Sequence, residues 1–182
     1  ATWFGDAMEG APAVSFDGND YIWCEPNSTW GTLDGDKTIF VALHCDAADG
    51  GDVFDSYTYA GRNAIFAGQN NNPQEWCLYD GSAVLGSAIV TTAAVRVHTV
   101  EFSDTGMRHR IGGALISEGD SANGSMIGIV VGSRYNLANG LNGDIGTLLV
   151  FNGTLPDSER EAIESWLNER DGTASVALSA AR

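Results

Sequence analysis

LNGDIGTLLVFNGTLPDSEREAIESWLNERDG, residues 141–172, reads as one strand, a tight turn and one amphipathic helix with a glycine stop. Over 144–151 apolar residues alternate as in a half-buried strand, and the spacing assigns Ile145, Leu149 and Phe151 to one face. Asn152-Gly153 is a turn pair. Thr154 is a capping candidate, Pro156 sits where a missing N–H does no harm, and acids fill the first helical turn. Ile163, Trp166 and Leu167 form the apolar stripe, and Gly172 offers a left-handed end.

Working outward, the rest of the chain is short strands and turns. Strands are expected at 13–16, 21–25, 38–45, 63–67, 75–79, 83–90, 95–102, 108–116, 126–131 and 144–151. In 38–45, Ile39, Val41, Leu43 and Cys45 point one way. In 95–102 the alternation breaks, because Val95 and Val97 share one face while Val100 and Phe102 fall on the other; a bulge near His98 would restore burial. Ten strands without intervening helices, in a chain of 182 residues with 23 glycines, argue for one antiparallel sandwich rather than a parallel α/β sheet. One domain is expected over 1–172, and the small, polar tail 173–182 is ordered only if something docks it. No apolar run approaches the roughly 20 residues that a bilayer requires, so membrane insertion is not expected. No secretory h-region is visible, so Ala1 is expected to follow a removed methionine or leader.

The closing block resembles the end of concanavalin A-like, laminin-G-like β-sandwich modules, where a GDI strand runs into an ER-x-x-IE-x-x-L helix and a glycine. FDGNDYI at 16–22 resembles their opening hairpin, TIFVALHC at 38–45 their first long core strand, VHTV at 97–100 the central strand, and the stretch 127–134 an IG-x-x-x-x-R element. The resemblance implies an all-β jelly-roll sandwich with one short C-terminal helix. It leaves the ligand open, since this fold serves lectins, adhesion modules, enzymes and virion proteins.

Charge and motifs narrow the function. Twenty-four acids against nine bases give a net charge of −15, which repels nucleic acid and anionic membranes. Cys24, Cys45 and Cys77 match no zinc or redox spacing and read as small core hydrophobes, with one disulfide plus a free thiol as the alternative. Glucanases of this fold need acids at alternate positions of one strand, and no strand here carries them; Glu101 is followed two residues on by Ser103. His44, His98 and His109 are scattered, and the arginines flanking His109 are expected to keep its pKa low. No catalytic residues are assigned, and a non-enzymatic role is expected.

Two candidate sites remain. Asp46, Asp49, Asp52 and Asp55, in a glycine-containing loop, are the best candidates for calcium, the one cofactor considered, because calcium takes many oxygens on flexible loops. Tyr57, Tyr59, Arg62, Asn63, Trp76, Tyr79, Arg134 and Tyr135 combine the aromatic faces, amides and arginines that hold sugars or protein partners. Core burial of Trp76 and an Arg62–Asp55 pair are the competing readings. Trp3, Trp23 and Trp30 are expected to cover the sandwich edge. The function expected is a non-catalytic binding or structural module: a decoration or accessory protein on a larger assembly such as a phage virion, with glycans or neighbouring subunits as partners. The alternative is a stand-alone secreted carbohydrate-binding module. The location expected is a virion surface or the extracellular space, and the protein is expected to be oligomeric or assembly-bound.

Overall fold

The computed structural model describes residues 1–8, 11–26, 31–46, 51–59, 61–69, 72–82, 84–90, 94–121 and 124–171. Trp30, Asp49, Gly172 and the tail 173–182 lie outside the described residues. The chain forms β1 (Thr2–Met8), β2 (Ala11–Asp17), β3 (Ile22–Cys24), β4 (Thr32–Leu33), β5 (Lys37–Cys45), β6 (Gly51–Asp55), β7 (Ala64–Gln69) and β8 (Asn72–Tyr79). It continues with β9 (Val84–Ile89), β10 (Arg96–Ser103), β11 (Gly106–Ile111), β12 (Ala114–Gly119), β13 (Met126–Ile127), β14 (Ile129–Val131), β15 (Asn142–Asn152) and α1 (Asp157–Arg170).

Two antiparallel sheets make the sandwich. One runs β1-β2-β15-β5-β10-β11-β12, the other β3-β14-β6-β7-β8-β9, and β13 pairs separately with β4. The main core lies between the sheets. Ile39, Val41, Leu43, Val100 and Phe102 face it from the first, and Phe54, Ile65, Trp76, Leu78 and Ile129 from the second. Each such burial contributes on the order of 1.5–3 kcal/mol. The expected face of 38–45 is therefore the inner one. Cys45 joins the main core, Cys77 is buried against the outer side of the second sheet, Cys24 is half-buried, and no disulfide joins the three.

The bulge expected near His98 is not there. Pairing of β10 is continuous with β5 from Arg96 to Phe102 and with β11 from His98 to Ser103. No bulge is needed because the strand is buried on both sides: Val100 and Phe102 face the main core, while Val95 and Val97 face a second cluster with Phe40, Ala42 and Leu167 under the helix. The irregularity falls instead in β15, where the register shifts between Ile145 and Thr147. Ile145 thereby enters the main core while Leu149 and Phe151 pack beneath the helix, so the three do not share one face.

Glycines divide two expected strands. Gly112 and Gly113, both at positive φ (58° and 87°), turn the stretch 108–116 into the β11–β12 hairpin. Gly128 breaks 126–131 at φ 62°, and a Cβ there would lie 2.6 Å from the Cys24 carbonyl oxygen. The expected acidic loop is in part a strand: β6 is buried throughout. The edge strand β1, which pairs with β2, was not expected from the sequence.

The helix starts after Pro156 without a side-chain cap. Thr154 is not the cap; its Oγ1 donates to Asp36 Oδ2 at 3.1 Å. The buried side of α1 is Arg160, Glu164 and Leu167, with Ile163 half-buried, while Trp166 points outward beneath the Arg170 guanidinium. The expected stripe thus keeps Ile163 and Leu167 and loses Trp166. Thr99 Oγ1 donates to Glu164 Oε1 at 2.7 Å, and Arg160 Nη1 to Glu164 Oε2 at 2.6 Å, tying helix to sheet. Glu164→Ala is therefore expected to lower the unfolding free energy by about 1–3 kcal/mol, read from urea titration.

His98 and His109 stand in the interior. His98 Nδ1 lies 2.9 Å from His109 Nε2, and the Trp76 ring crosses His98 with centroids 4.5 Å apart. Burial pushes His98 well below the usual imidazole range and His109 to about 3. The low value expected for His109 holds, but its cause is desolvation rather than the flanking arginines.

Candidate functional site

The outer face of the second sheet carries the expected binding residues. Phe54, Ile129 and Val131 pack inward, so the intervening Asp55 and Val130, paired across β6 and β14, look outward. On β7 and β8, Ala64, Phe66, Cys77 and Tyr79 form a small cluster on the same outer side.

At the centre of this face Arg62 forks onto Asp55. Arg62 Nε donates to Asp55 Oδ2 at 2.9 Å and Nη2 to the same oxygen at 2.5 Å. The backbone N–H of Tyr135 also donates to Oδ2, at 3.1 Å, and that of Ser56 to Oδ1 at 2.8 Å. Burial pushes the Asp55 carboxyl up, against the Arg62 bonds, and those same bonds raise the guanidinium.

Aromatic rings stack around this pair. The Arg62 guanidinium carbon lies 4.7 Å from the Tyr79 ring centre and 4.8 Å from that of Tyr135. Tyr59, 70% exposed, continues the stack with its centroid 5.4 Å from Tyr135. Beside it, Arg134 Nε lies 3.5 Å from Asp52 Oδ2, a carboxylate with no solvent exposure. Arg62, Tyr79, Tyr135, Tyr59 and Arg134 therefore form one assembly.

Tyr57 belongs to a neighbouring trio. Its ring meets Trp23 edge-on at 6.0 Å, Trp23 meets Tyr21 at 5.3 Å, and the Tyr57 hydroxyl donates to Glu25 Oε1 at 3.1 Å. Trp23 is 47% exposed. The sequence reading placed Trp23 at the sandwich edge and omitted Tyr21 and Glu25. The signal was alternation in YIWC: Cys24 packs toward the core, so Trp23 faces out.

Two expected contacts lie elsewhere. Trp76 is core, facing His98, and Asn63 is fully buried with neither side-chain polar atom hydrogen-bonded among the described residues. Among the described residues Asp46, Asp52 and Asp55 are not gathered as a cation site. Asp52 and Asp55 face guanidinium groups from strand β6, Asp46 is exposed beside His44, and Asp49 lies outside the described residues. Among the described residues no three His, Cys, Asp or Glu side chains come together as a metal cluster. The buried carboxylates Asp52, Asp55, Glu101 and Glu164 each face an arginine.

No family model and no curated protein matches the sequence. Solved structures do. Domain 4 of AbnA, a GH43 extracellular arabinanase from Geobacillus stearothermophilus in complex with arabinotriose, superposes with TM-score 0.66 at 11% identity, over 90% of this chain and 82% of that one. The CBM40 of the Ruminococcus gnavus IT-sialidase, bound to α2,3-sialyllactose, gives 0.64 at 11% identity over 84% and 96%. A heptameric SAP-like pentraxin from Limulus polyphemus gives 0.58 at 12% identity over 84% and 81%. Trypanosoma rangeli sialidases also match, over 27% to 28% of their own length. The likeness shows the fold alone, an antiparallel β-sandwich, here closed by one helix.

Proposed function

We propose that this chain is a non-catalytic glycan-binding module whose contact surface is the aromatic and arginine band on the outer face of the second sheet. The observation that carries the reading is the Tyr59–Tyr135–Arg62 stack seated on buried Asp55. An exposed ring held against a fixed guanidinium offers a sugar its flat face with little ordering cost. Structures of this fold bound to arabinotriose and sialyllactose support the reading. Tyr59→Ala is expected to weaken binding about tenfold or more on a glycan array and by calorimetry, because exposed aromatic anchors dominate such contacts. Its melting temperature should stay within about 2 °C of the parent, as for surface changes generally. Unchanged affinity would move the site off this band.

A second reading, a decoration or accessory subunit on a larger assembly such as a phage virion, is supported by Trp3 and Phe4. They stand exposed on edge strand β1, with Trp3 at 67%. An unpaired edge bearing aromatic rings suits a neighbouring subunit. Sedimentation with and without Trp3→Ser tests it: a concentration-dependent assembly lost in the variant supports the reading, and a monomer in both rejects it. Location on a virion surface or outside the cell follows from these two readings as part of the proposal.

A further inference from the structure

We propose that the aromatic and arginine band selects uncharged glycans and discriminates against those bearing carboxylates, such as sialic or uronic acids; this rests on the glycan-binding reading of the same surface. Both arginines of the band are matched by buried acids. Asp55, with no solvent exposure, takes Nε and Nη2 of Arg62, and Asp52, equally buried, faces Nε of Arg134. Two positive and two negative groups leave no net charge to attract an anion. To form a salt bridge with Arg62, an incoming carboxylate would have to displace Asp55, which Ser56 and Tyr135 hold by their backbone N–H groups.

The alternative for the ligand is a single contact to Nη1 of a guanidinium that Asp55 already neutralises, which does not repay the hydration a carboxylate loses. Arg62 Nη1 makes no hydrogen bond among the described residues and suits a hydroxyl acceptor. Glu25, bonded to Tyr57 at the neighbouring trio, adds a negative group. The whole chain carries −15, so the long-range field repels anions as well. Ring faces on Tyr59, Tyr135 and Trp23 meanwhile fit the C–H faces of neutral sugars.

The test is an array of matched pairs probed with the full chain at about 0.15 M salt: lactose with α2,3-sialyllactose, and neutral oligosaccharides with their uronate counterparts. The expected result is that bound members are uncharged and each acidic counterpart binds about tenfold or more weakly, like charge being penalised at a contact. Affinity for the neutral members should also be nearly constant from about 0.05 to 0.5 M salt, since no ion pair is being screened. Acidic members bound equally or better, with binding still lost in Tyr59→Ala, would overturn the selectivity and leave glycan binding standing. No bound member in either arm would overturn glycan binding and the selectivity with it.

Asp52→Asn supplies the second measurement. With its melting temperature near the parent's, it removes the Asp52 charge facing Arg134 and should shift the acidic-to-neutral affinity ratio upward about tenfold. A ratio that does not move would sink the charge argument.

Discussion

Arg62→Ala is expected to lower the free energy of unfolding by about 3–5 kcal/mol and to abolish glycan binding. The size follows from what the substitution leaves behind. Asp55 has no solvent exposure, and its Oδ2 accepts both Arg62 donors. Removing the guanidinium strands a buried carboxylate, and breaking such a pair from one side generally costs about 3–5 kcal/mol. The rings lose their support together, because Arg62 lies between Tyr79 and Tyr135, and Tyr59 leans on Tyr135. Arg62→Lys separates the effects. It keeps a charge but lacks the planar pair of donors that Asp55 takes, so it should recover part of the stability and little of the binding. Urea titration checks the first quantity and calorimetry the second. A variant with parental stability would mean that Asp55 is satisfied without Arg62.

The second large effect is acid sensitivity. His98 and His109 face each other at 2.9 Å through one nitrogen each, so one must donate and the other accept. Protonating both would place two N–H groups head to head in a buried site. The unfolded chain takes up protons on both rings near pH 6.5, whereas burial holds His109 neutral down to about 3 and depresses His98 in the same direction. Stability from this source is therefore complete above pH 6.5 and is lost as the pH falls toward 3. At about pH 4.5, holding His109 neutral costs on the order of a few kcal/mol, and His98 adds to the loss. Thermal melts from pH 7 to 4 should show the fall, and His109→Gln should flatten it. An equal slope in the variant would assign the acid lability to other groups.

The sequence made the sandwich legible wherever one rule acted alone. The strand Lys37–Cys45 shows its inner face by simple alternation, and the C-terminal block shows strand, turn and helix by turn residues and periodicity. The reading failed where two faces were buried or where charge was neutralised from afar. In β10, residues on both faces are apolar because the helix covers the outer one, and one-sided logic turned that into a bulge. Gly51–Asp55 looked like a solvated loop because its two aspartates find their arginines 7 and 82 positions further along the chain.

The site shows the same pattern. Its residue types were visible, but the stacking of Tyr59 on Tyr135 depends on the fold bringing two loops together. One misplacement was avoidable. Trp76 and Tyr79 lie three residues apart on β8, so a pleated strand sends them to opposite faces, and only Tyr79 belongs to the band.

The place of β15 between β2 and β5 has a consequence for biogenesis. Among the described residues the sheet neighbour of the β1–β2 hairpin beyond itself is β15, which is made well over a hundred residues later. Until residues 142–152 have left the ribosome, that hairpin, with Trp3 and Phe4, cannot dock on β15. Joining β2 to β15 thus closes a long loop, and it is a step at which a nascent copy is open to pairing with the wrong neighbour.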